Sequence, residues 1–204
     1  MGKKVLCFLI LSAVFIGINS FSSAASGFAD TNETKYETAA NLLYALDIIE
    51  GEDDGTFGVN ESMTRADFAG ILVKLGGLSD ADDNAIYFVD VPKEHYARNQ
   101  INAVCKLGFM QGEGKYFRPE ESLTLEEASR GLVFLLGYAG TVENGSYTIA
   151  ANRMGLHTNI SRGTWLSRGD ILLMVYEALN IPLMLPTHIS DSGIEESRVE
   201  NESD

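Results

Sequence analysis

The chain has few cysteines and few basic residues, and both shortages exclude classes of protein. Only two cysteines occur among 204 residues, so a disulfide framework is not expected. Lysine and arginine together number 15 against 29 aspartates and glutamates, which gives a formal net charge of −14. Binding to DNA or to anionic membranes depends on basic surfaces, so neither nucleic acid nor a membrane surface is an expected partner. A local basic pocket for an anionic ligand is still compatible with this charge.

Catalytic and metal-binding signatures are also missing. The sequence has no Walker loop, no Gly-x-Ser-x-Gly and no His-Glu-x-x-His. Its histidines, His95, His157 and His188, are scattered without metal-ligand spacing. The acidic run at residues 80–84 lacks the glycine and the terminal glutamate of an EF-hand loop, which favours a solvated linker. We therefore expect no enzyme activity, no cofactor and no metal site.

Residues 1–25 form a separate segment. Lys3 and Lys4 precede an apolar run over residues 5–18, and small residues follow as far as Ala25. This order is typical of a secretory signal peptide, and the run is shorter than the roughly 20 residues of a membrane-spanning helix. Cleavage after Ala25 would leave Cys105 as the only thiol, in an apolar helical stretch. We therefore expect a secreted, disulfide-free domain in which Cys105 is a small buried hydrophobe.

An internal repeat occupies most of the remaining chain. The second copy follows the first at an offset of 60 positions, and a shortened third copy follows the second at 43. The matching segments are Phe28-Ala29-Asp30 with Phe88-Val89-Asp90, Phe57 with Phe117, and Met63-Thr64-Arg65-Ala66-Asp67 with Leu123-Thr124-Leu125-Glu126-Glu127 and Leu166-Ser167-Arg168-Gly169-Asp170. The units are expected at residues 26–80, 81–140 and 141–182, each too small to bury an apolar face alone.

The apolar spacing predicts a helix, a loop and a second helix in every unit. First helices are predicted at residues 36–49, 96–107 and about 148–156, with Leu46 on the buried stripe of the first. Phe57 and Phe117 are expected to pin the loops to the core. The predicted fold class is therefore all-α. Residues 183–204 are predicted to be an acidic tail or linker, whose ending favours a longer parent protein or a severed fragment.

The second helices open with a hydroxyl residue followed three positions later by an acid. The pairs are Thr64 with Asp67, Thr124 with Glu127, and Ser167 with Asp170. This spacing predicts capping boxes, in which hydroxyl and carboxylate satisfy free amides of the first turn. Each cap is worth roughly 1 kcal/mol.

Capping does not account for Arg65 and Arg168. Both occupy the first helical position, where the helix dipole disfavours a cation, whereas the second unit has Leu125 there. A guanidinium beside exposed helix amides would form an anion site for a carboxylate or phosphate. An arginine paired with a neighbouring acid is the alternative, and the residues alone leave both open.

Taken in order, these segments resemble the S-layer homology domain family. The resemblance rests on Phe28-Ala29-Asp30, Gly51 to Phe57, Thr64-Arg65-Ala66-Asp67, and on Phe88-Val89-Asp90, His95-Tyr96-Ala97 and Tyr116-Phe117-Arg118-Pro119. It covers about residues 26–182, with the second and third copies degenerate. It implies a pseudo-threefold bundle with grooves between the units. It also implies non-covalent anchoring of secreted bacterial proteins to cell-wall polysaccharide, often a polymer bearing pyruvate ketals.

The resemblance assigns the ligand's carboxylate to Arg65 and Arg168. Asp30, Asp90 and Trp165 are further candidates for glycan binding, although Trp165 can equally be a staple at the entry of its helix. Because Leu125 replaces the motif arginine, its groove is expected to be weak or silent.

The expected function is anchoring to the wall of a bacterium, of Gram-positive type, through an anionic secondary polysaccharide or a peptidoglycan-linked glycan. Replacing Arg65 and Arg168 with alanine should then abolish wall retention without unfolding the domain. The rival interpretation is a helical protein–protein assembly module of the cell surface, in which the arginines merely pair with acids.

Overall fold

The computed structural model describes residues 27–78, 87–161, 165–184, 188–190 and 193–195. The predicted signal peptide, the acidic run at 80–84 and most of the predicted acidic tail lie outside the described residues.

Helices dominate the described residues and follow the predicted pairing. They are α1 (Glu37–Ala45), α2 (Arg65–Gly76), α3 (Arg98–Lys106), α4 (Leu125–Leu135), α5 (Tyr147–Arg153) and α6 (Arg168–Ala178), with short 3-10 turns at Ala139–Thr141 and Glu143–Gly145. The all-α class is confirmed. The sole sheet of the described part is a pair of three-residue antiparallel strands, β1 (His188–Ser190) and β2 (Gly193–Glu195), in the predicted tail.

Backbone conformation sets where the helices end. Helix α1 stops at Ala45, earlier than predicted, because Asp47 adopts a left-handed φ of 57°. Leu46 is consequently 37% exposed, so its predicted place on the buried stripe is wrong. Helix α2 ends as predicted at Gly77, whose φ of 56° suits a left-handed C-cap. Cys105 is half-buried against the core, and burial raises the pKa of its thiol to about 12.

The predicted aromatic plugs hold both loops. Phe57 and Phe117 are 2% and 0% exposed, and each packs its ring 5.6 Å from the phenylalanine that opens its own unit, Phe28 or Phe88. The loops that precede the second helices are therefore fixed to the core.

Each second helix packs against the first helix of the following unit. Helix α2 contacts α3, α4 contacts α5, and α6 closes the ring by contacting α1. Each unit therefore buries its apolar faces against its two neighbours in a closed cycle, and no unit of this length can bury its helices alone.

A closed triangle of backbone hydrogen bonds lies at the centre of the cycle. The amide of Met63 donates to Leu166 O (3.1 Å), that of Leu166 to Leu123 O (3.4 Å), and that of Leu123 to Met63 O (2.8 Å). These three residues are equivalent in the repeats, and their side chains are at most 1% exposed. The predicted pseudo-threefold bundle is confirmed.

Candidate functional site

Two grooves run between neighbouring units. Groove A, of about 380 Å³, lies between the first loop, α2, the residues before α3, and Arg168 of the third unit. Its lining residues are Ile48, Ile49, Glu50, Gly51, Glu52, Phe57, Met63, Ala66, Asp67, Gly70, Ile71, Lys74, Tyr96, Ala97, Gln100 and Arg168. Groove B, of about 390 Å³, lies between the second loop, α4, the start of α5, and Arg65 of the first unit. Its lining residues are Arg65, Phe109, Met110, Gln111, Gly112, Arg118, Glu126, Glu127, Arg130, Gly145 and Tyr147.

The motif arginine of groove B is buried within the protein. Arg65 is 1% exposed and donates from Nε to Phe117 O (2.9 Å) and from Nη2 to Gln111 O (2.8 Å). Its Nη1 pairs with Glu127, and its guanidinium lies 4.5 Å from the centre of the Phe117 ring. Burial lowers the pKa of Arg65, and Glu127 opposes that shift. Arg65 therefore ties the first unit to the loop of the second.

Arg168 repeats this arrangement more loosely in groove A. Its Nε donates to Phe57 O (2.8 Å), and its guanidinium lies 4.7 Å from the Phe57 ring centre. Its ion-pair partner is Glu52 on the loop, 3.1 Å away, whose side chain is 48% exposed. The Arg168 side chain is itself 15% exposed. Because Glu52 is open to solvent, this guanidinium is the more accessible of the two.

The helix amides beside both arginines are already bonded. In α2 the amides of Arg65 and Ala66 donate to Glu121 O (3.0 Å) and Pro119 O (2.9 Å) of the second unit. In α6 the amides of Arg168 and Gly169 donate likewise to the first unit, at Glu61 O (2.8 Å) and Val59 O (3.0 Å). The expectation of an anion site built partly from exposed helix amides is therefore wrong. These four amides are therefore not free to bind an anion.

The predicted caps form in every unit, but only two are complete boxes. Thr124 with Glu127 and Ser167 with Asp170 make both reciprocal bonds. In the first unit Thr64 accepts from the amide of Asp67 (3.0 Å), while the Asp67 carboxylate accepts instead from the Tyr96 hydroxyl (2.8 Å) in groove A. Asp67 is thereby drawn from its cap to the wall of the groove.

Asp30 and Asp90 lie outside both grooves and hold the loops from within. Asp30 accepts the amides of Phe57 (2.7 Å), Gly58 and Val59 (both 2.9 Å). Burial raises the pKa of Asp30, but these amide bonds outweigh it and the net shift is downward. Asp90 accepts the equivalent amides of Phe117 (2.9 Å) and Arg118 (2.7 Å). Their carboxylates shape the loops behind the grooves.

Trp165 and Leu125 also line neither groove. Trp165 is 55% exposed, and its backbone bridges to Thr124 beside the central triangle. Leu125 is half-buried and packs against the core. Both grooves described above carry a motif arginine.

The structure adds residues that the repeat motifs did not single out. Arg118 and Arg130 line groove B, and each has a buried Nε without a hydrogen-bond partner among the described residues. Gln100 lines groove A with a similarly unpartnered Oε1. One sequence signal was available for Arg130, because it occupies the place of Gly70 at the 60-residue offset. The same signal was available for Arg118, which occupies the place of Gly58 at that offset, whereas nothing marked Gln100 on α3.

The described residues form neither a metal-ligand cluster nor a membrane-spanning helix. No group of three metal-ligating side chains comes together within these ranges. None of the helices described is both long and apolar enough to cross a membrane.

Comparison with known proteins identifies related segments. Residues 27–69 and 87–129 match the family model of the S-layer homology domain, and the third unit lies outside both matches. A cell surface protein of Thermoanaerobacter kivui is 33% identical over 178 residues, which are 80% of this chain and 23% of that protein. A middle cell wall protein of Brevibacillus brevis is 28% identical over 194 residues, 89% of this chain and 18% of that protein.

Some enzymes also match this chain, over a shorter segment. Endo-1,4-beta-xylanase A of Thermoanaerobacterium saccharolyticum is 30% identical over 103 residues, which are 50% of this chain and 9% of that enzyme. The chain spans less than a quarter of the length of each of these relatives.

Proposed function

Since residues 27–69 and 87–129 belong to the S-layer homology domain family, we propose that this chain is a non-catalytic anchor at the surface of a Gram-positive bacterium. It holds a secreted protein on the wall by binding an anionic secondary polysaccharide non-covalently. Its relatives include a middle cell wall protein and a xylanase, which match it over small parts of their length. A shared binding module is the simplest explanation for similarity to relatives of such different kinds.

The observation that carries this proposal is the accessible motif arginine, Arg168, at the edge of groove A. Arg168 borders groove A and is paired with the half-exposed carboxylate of Glu52. A carboxylate on an incoming saccharide can replace Glu52 and keep the guanidinium neutralised, so binding need not leave a buried charge unpaired. The neighbouring Gln100 Oε1 is a buried acceptor suited to a sugar hydroxyl.

The remaining candidates have secondary roles in this proposal. Arg65, closed off by its internal bonds, forms the base of groove B. Asp30 and Asp90 act indirectly by holding the loops, and the exposed indole of Trp165 is available to stack on a sugar face outside the grooves. A pyruvate ketal on the polymer would supply the carboxylate.

Substituting Arg168→Gln tests this proposal. Loss of a charge-assisted bond should weaken binding to purified cell walls about tenfold or more. The measurement is co-sedimentation with intact walls and with walls acid-stripped of their secondary polymer. Arg153→Gln is the matched control, because Arg153 is exposed on α5 and lines neither groove.

Each outcome of this comparison is decisive. Wild-type pelleting with intact but not stripped walls, reduced by Arg168→Gln alone, supports the proposal. Equal pelleting of both variants removes Arg168 from the site. If wild type pellets with neither preparation and instead oligomerises as its concentration rises, the rival assembly function is favoured.

A further inference from the structure

We infer that groove B is a second anion site of this chain, and that Arg118 and Arg130, not the motif arginine Arg65, bind the acidic group there. The inference rests on the proposed function and deepens it, because it names the residues that take the acidic group in the second groove. The ligand class is a saccharide bearing a carboxylate or a phosphate.

Arg65 cannot serve an incoming anion without first losing a bond inside the protein. Each of its guanidinium nitrogens is engaged, by Phe117 O, by Gln111 O and by Glu127. The side chain is also 1% exposed, so a ligand in groove B meets only its edge.

Arg130 is held rigidly with a donor to spare. Its guanidinium lies 4.3 Å from the Phe134 ring centre and 4.9 Å from that of Tyr147, and Nη2 donates to Gly108 O (2.9 Å). Its Nε is buried without a partner among the described residues. Preorganisation of this kind reduces the entropy lost on binding.

Arg118 offers a second donor to the same groove. Its Nη1 makes two long ion pairs, at 3.4 Å to Glu121 and 3.7 Å to Glu113, both with exposed side chains. Its Nε is likewise buried and unpartnered within the described ranges. A buried donor without an acceptor is costly, and an oxyanion in groove B would satisfy both arginines.

The carboxylates of groove B are already committed elsewhere. Glu126 accepts the amides of Tyr147 (3.1 Å) and Thr148 (3.0 Å), and Glu127 pairs with Arg65 and caps α4. The lining of groove B therefore holds three guanidinium groups and two engaged carboxylates, while Glu113 and Glu121 pair with Arg118 from outside the lining. In groove A the lining acids Glu50, Glu52 and Asp67 outnumber Arg168 and Lys74, and an anion has to displace Glu52 from Arg168.

One position accounts for much of this difference. Arg130 of groove B corresponds to Gly70 of groove A at the 60-residue offset. A Cβ built on Gly70 meets nothing within 4 Å, so a side chain can begin at this position of groove A without a clash. The two positions therefore allow the additional arginine to be removed from one groove and placed in the other.

Nitrogen-15 NMR of the arginine Nε–H groups tests the inference. The probes are a methyl hexoside with a 4,6-linked pyruvate ketal, glucose 6-phosphate, and an uncharged methyl hexoside. We expect saturable shifts of the Arg118 and Arg130 signals with one or both anionic probes, and none with the uncharged one. The anionic probe that binds more tightly shows whether the acidic group of the ligand is a carboxylate or a phosphate.

Variants then assign the effect. Arg130→Gln should weaken the anionic probe about tenfold, Arg130→Lys should recover part of that loss, and Arg153→Gln should change nothing. Gly70→Arg should strengthen the anion-dependent response of the Arg168 signal in groove A. Arg130→Lys and Gly70→Arg also provide folded comparisons if Arg130→Gln loses its structure.

The inference is overturned if neither anionic probe shifts these signals, or if the uncharged hexoside shifts them equally. That result can coexist with normal wall sedimentation through Arg168, in which case the proposed anchoring function stands. Absence of wall sedimentation with intact anion binding in groove B would instead overturn the anchoring function alone.

Discussion

At the scale of single residues, the two motif arginines differ in burial because the acid near Arg65 is a glutamate, whereas the equivalent acid near Arg168 is an aspartate, one methylene group shorter. Glu127 is long enough both to cap its helix and to pair with Arg65, so that arginine is enclosed. At the equivalent place the shorter Asp67 accepts the Tyr96 hydroxyl, and Arg168 turns to an exposed loop glutamate. Burial, followed by the Asp67 contact, raises the pKa of Tyr96, so this phenol stays a donor throughout the physiological range.

Arg65→Ala should therefore destabilise the protein as well as alter groove B. Removing Arg65 leaves Glu127 Oε1 and the carbonyls of Phe117 and Gln111 without their donor, so the free energy of unfolding should fall by about 3 kcal/mol. Urea denaturation followed by circular dichroism measures the change. The exposed Arg153→Ala should shift stability by less than about 0.5 kcal/mol. Equal stability of the two variants would contradict the role of Arg65 as a tie between units.

The burial of Arg65 changes the expected behaviour of the variant in which both Arg65 and Arg168 are replaced by alanine. The sequence suggests that Arg65 and Arg168 can both be removed without unfolding, because they appear as equivalent motif positions. The difference in their burial depends on residues 52 and 67 of the first unit and on residue 127 of the second. Separate substitution is therefore needed to distinguish lost binding from lost structure.

At the scale of elements, backbones of neighbouring units approach closely where the helices meet. The first amides of α2 and α6 donate to carbonyls of another unit, and α4 crosses α2 at Gly131. A Cβ at Gly131 would lie 2.9 Å from both Leu72 Cδ1 and Phe68 Cε1, which are in the core. Glycine is therefore required at this crossing for close packing.

Two glycine substitutions test this packing. Gly131→Ala should lower the free energy of unfolding by roughly 1–3 kcal/mol, because the added methyl overpacks the α2–α4 contact. Gly70→Ala, also within a helix but with open space around it, should raise stability by roughly 0.5–1 kcal/mol through helix propensity. Urea midpoints of the pair give the comparison, and stabilisation by both changes would show that α4 can move away from α2.

At the scale of the whole molecule, the cycle makes the three units depend on one another. Helix α6 closes the ring on α1, and the central triangle takes one residue from each unit. Opening any one contact exposes apolar faces of two units. The units should therefore not unfold one by one as in an open solenoid.

A single unfolding transition is the expected consequence. Fluorescence of Trp165, the only tryptophan, reports the third unit beside the central triangle, whereas circular dichroism reports all helices. Thermal and urea transitions followed by the two signals should coincide, as two-state unfolding requires. An earlier fluorescence transition would mean that the third unit, which lies outside the family matches, separates first.

The sequence by itself determined the repeat, the helix pairs, the caps and the plug phenylalanines. These depend on local periodicity and on short spacings such as Thr124 with Glu127, which a chain carries without reference to its fold. It also marked Arg65 and Arg168 as exceptions to the helix-dipole rule. Only the tertiary structure decided which of them is enclosed, because their partners lie on other units. Segments that are distant in the sequence meet to form the grooves, to leave the donors of Arg118 and Arg130 unpartnered, and to bond the first helix amides. A local sequence pattern does not specify those contacts.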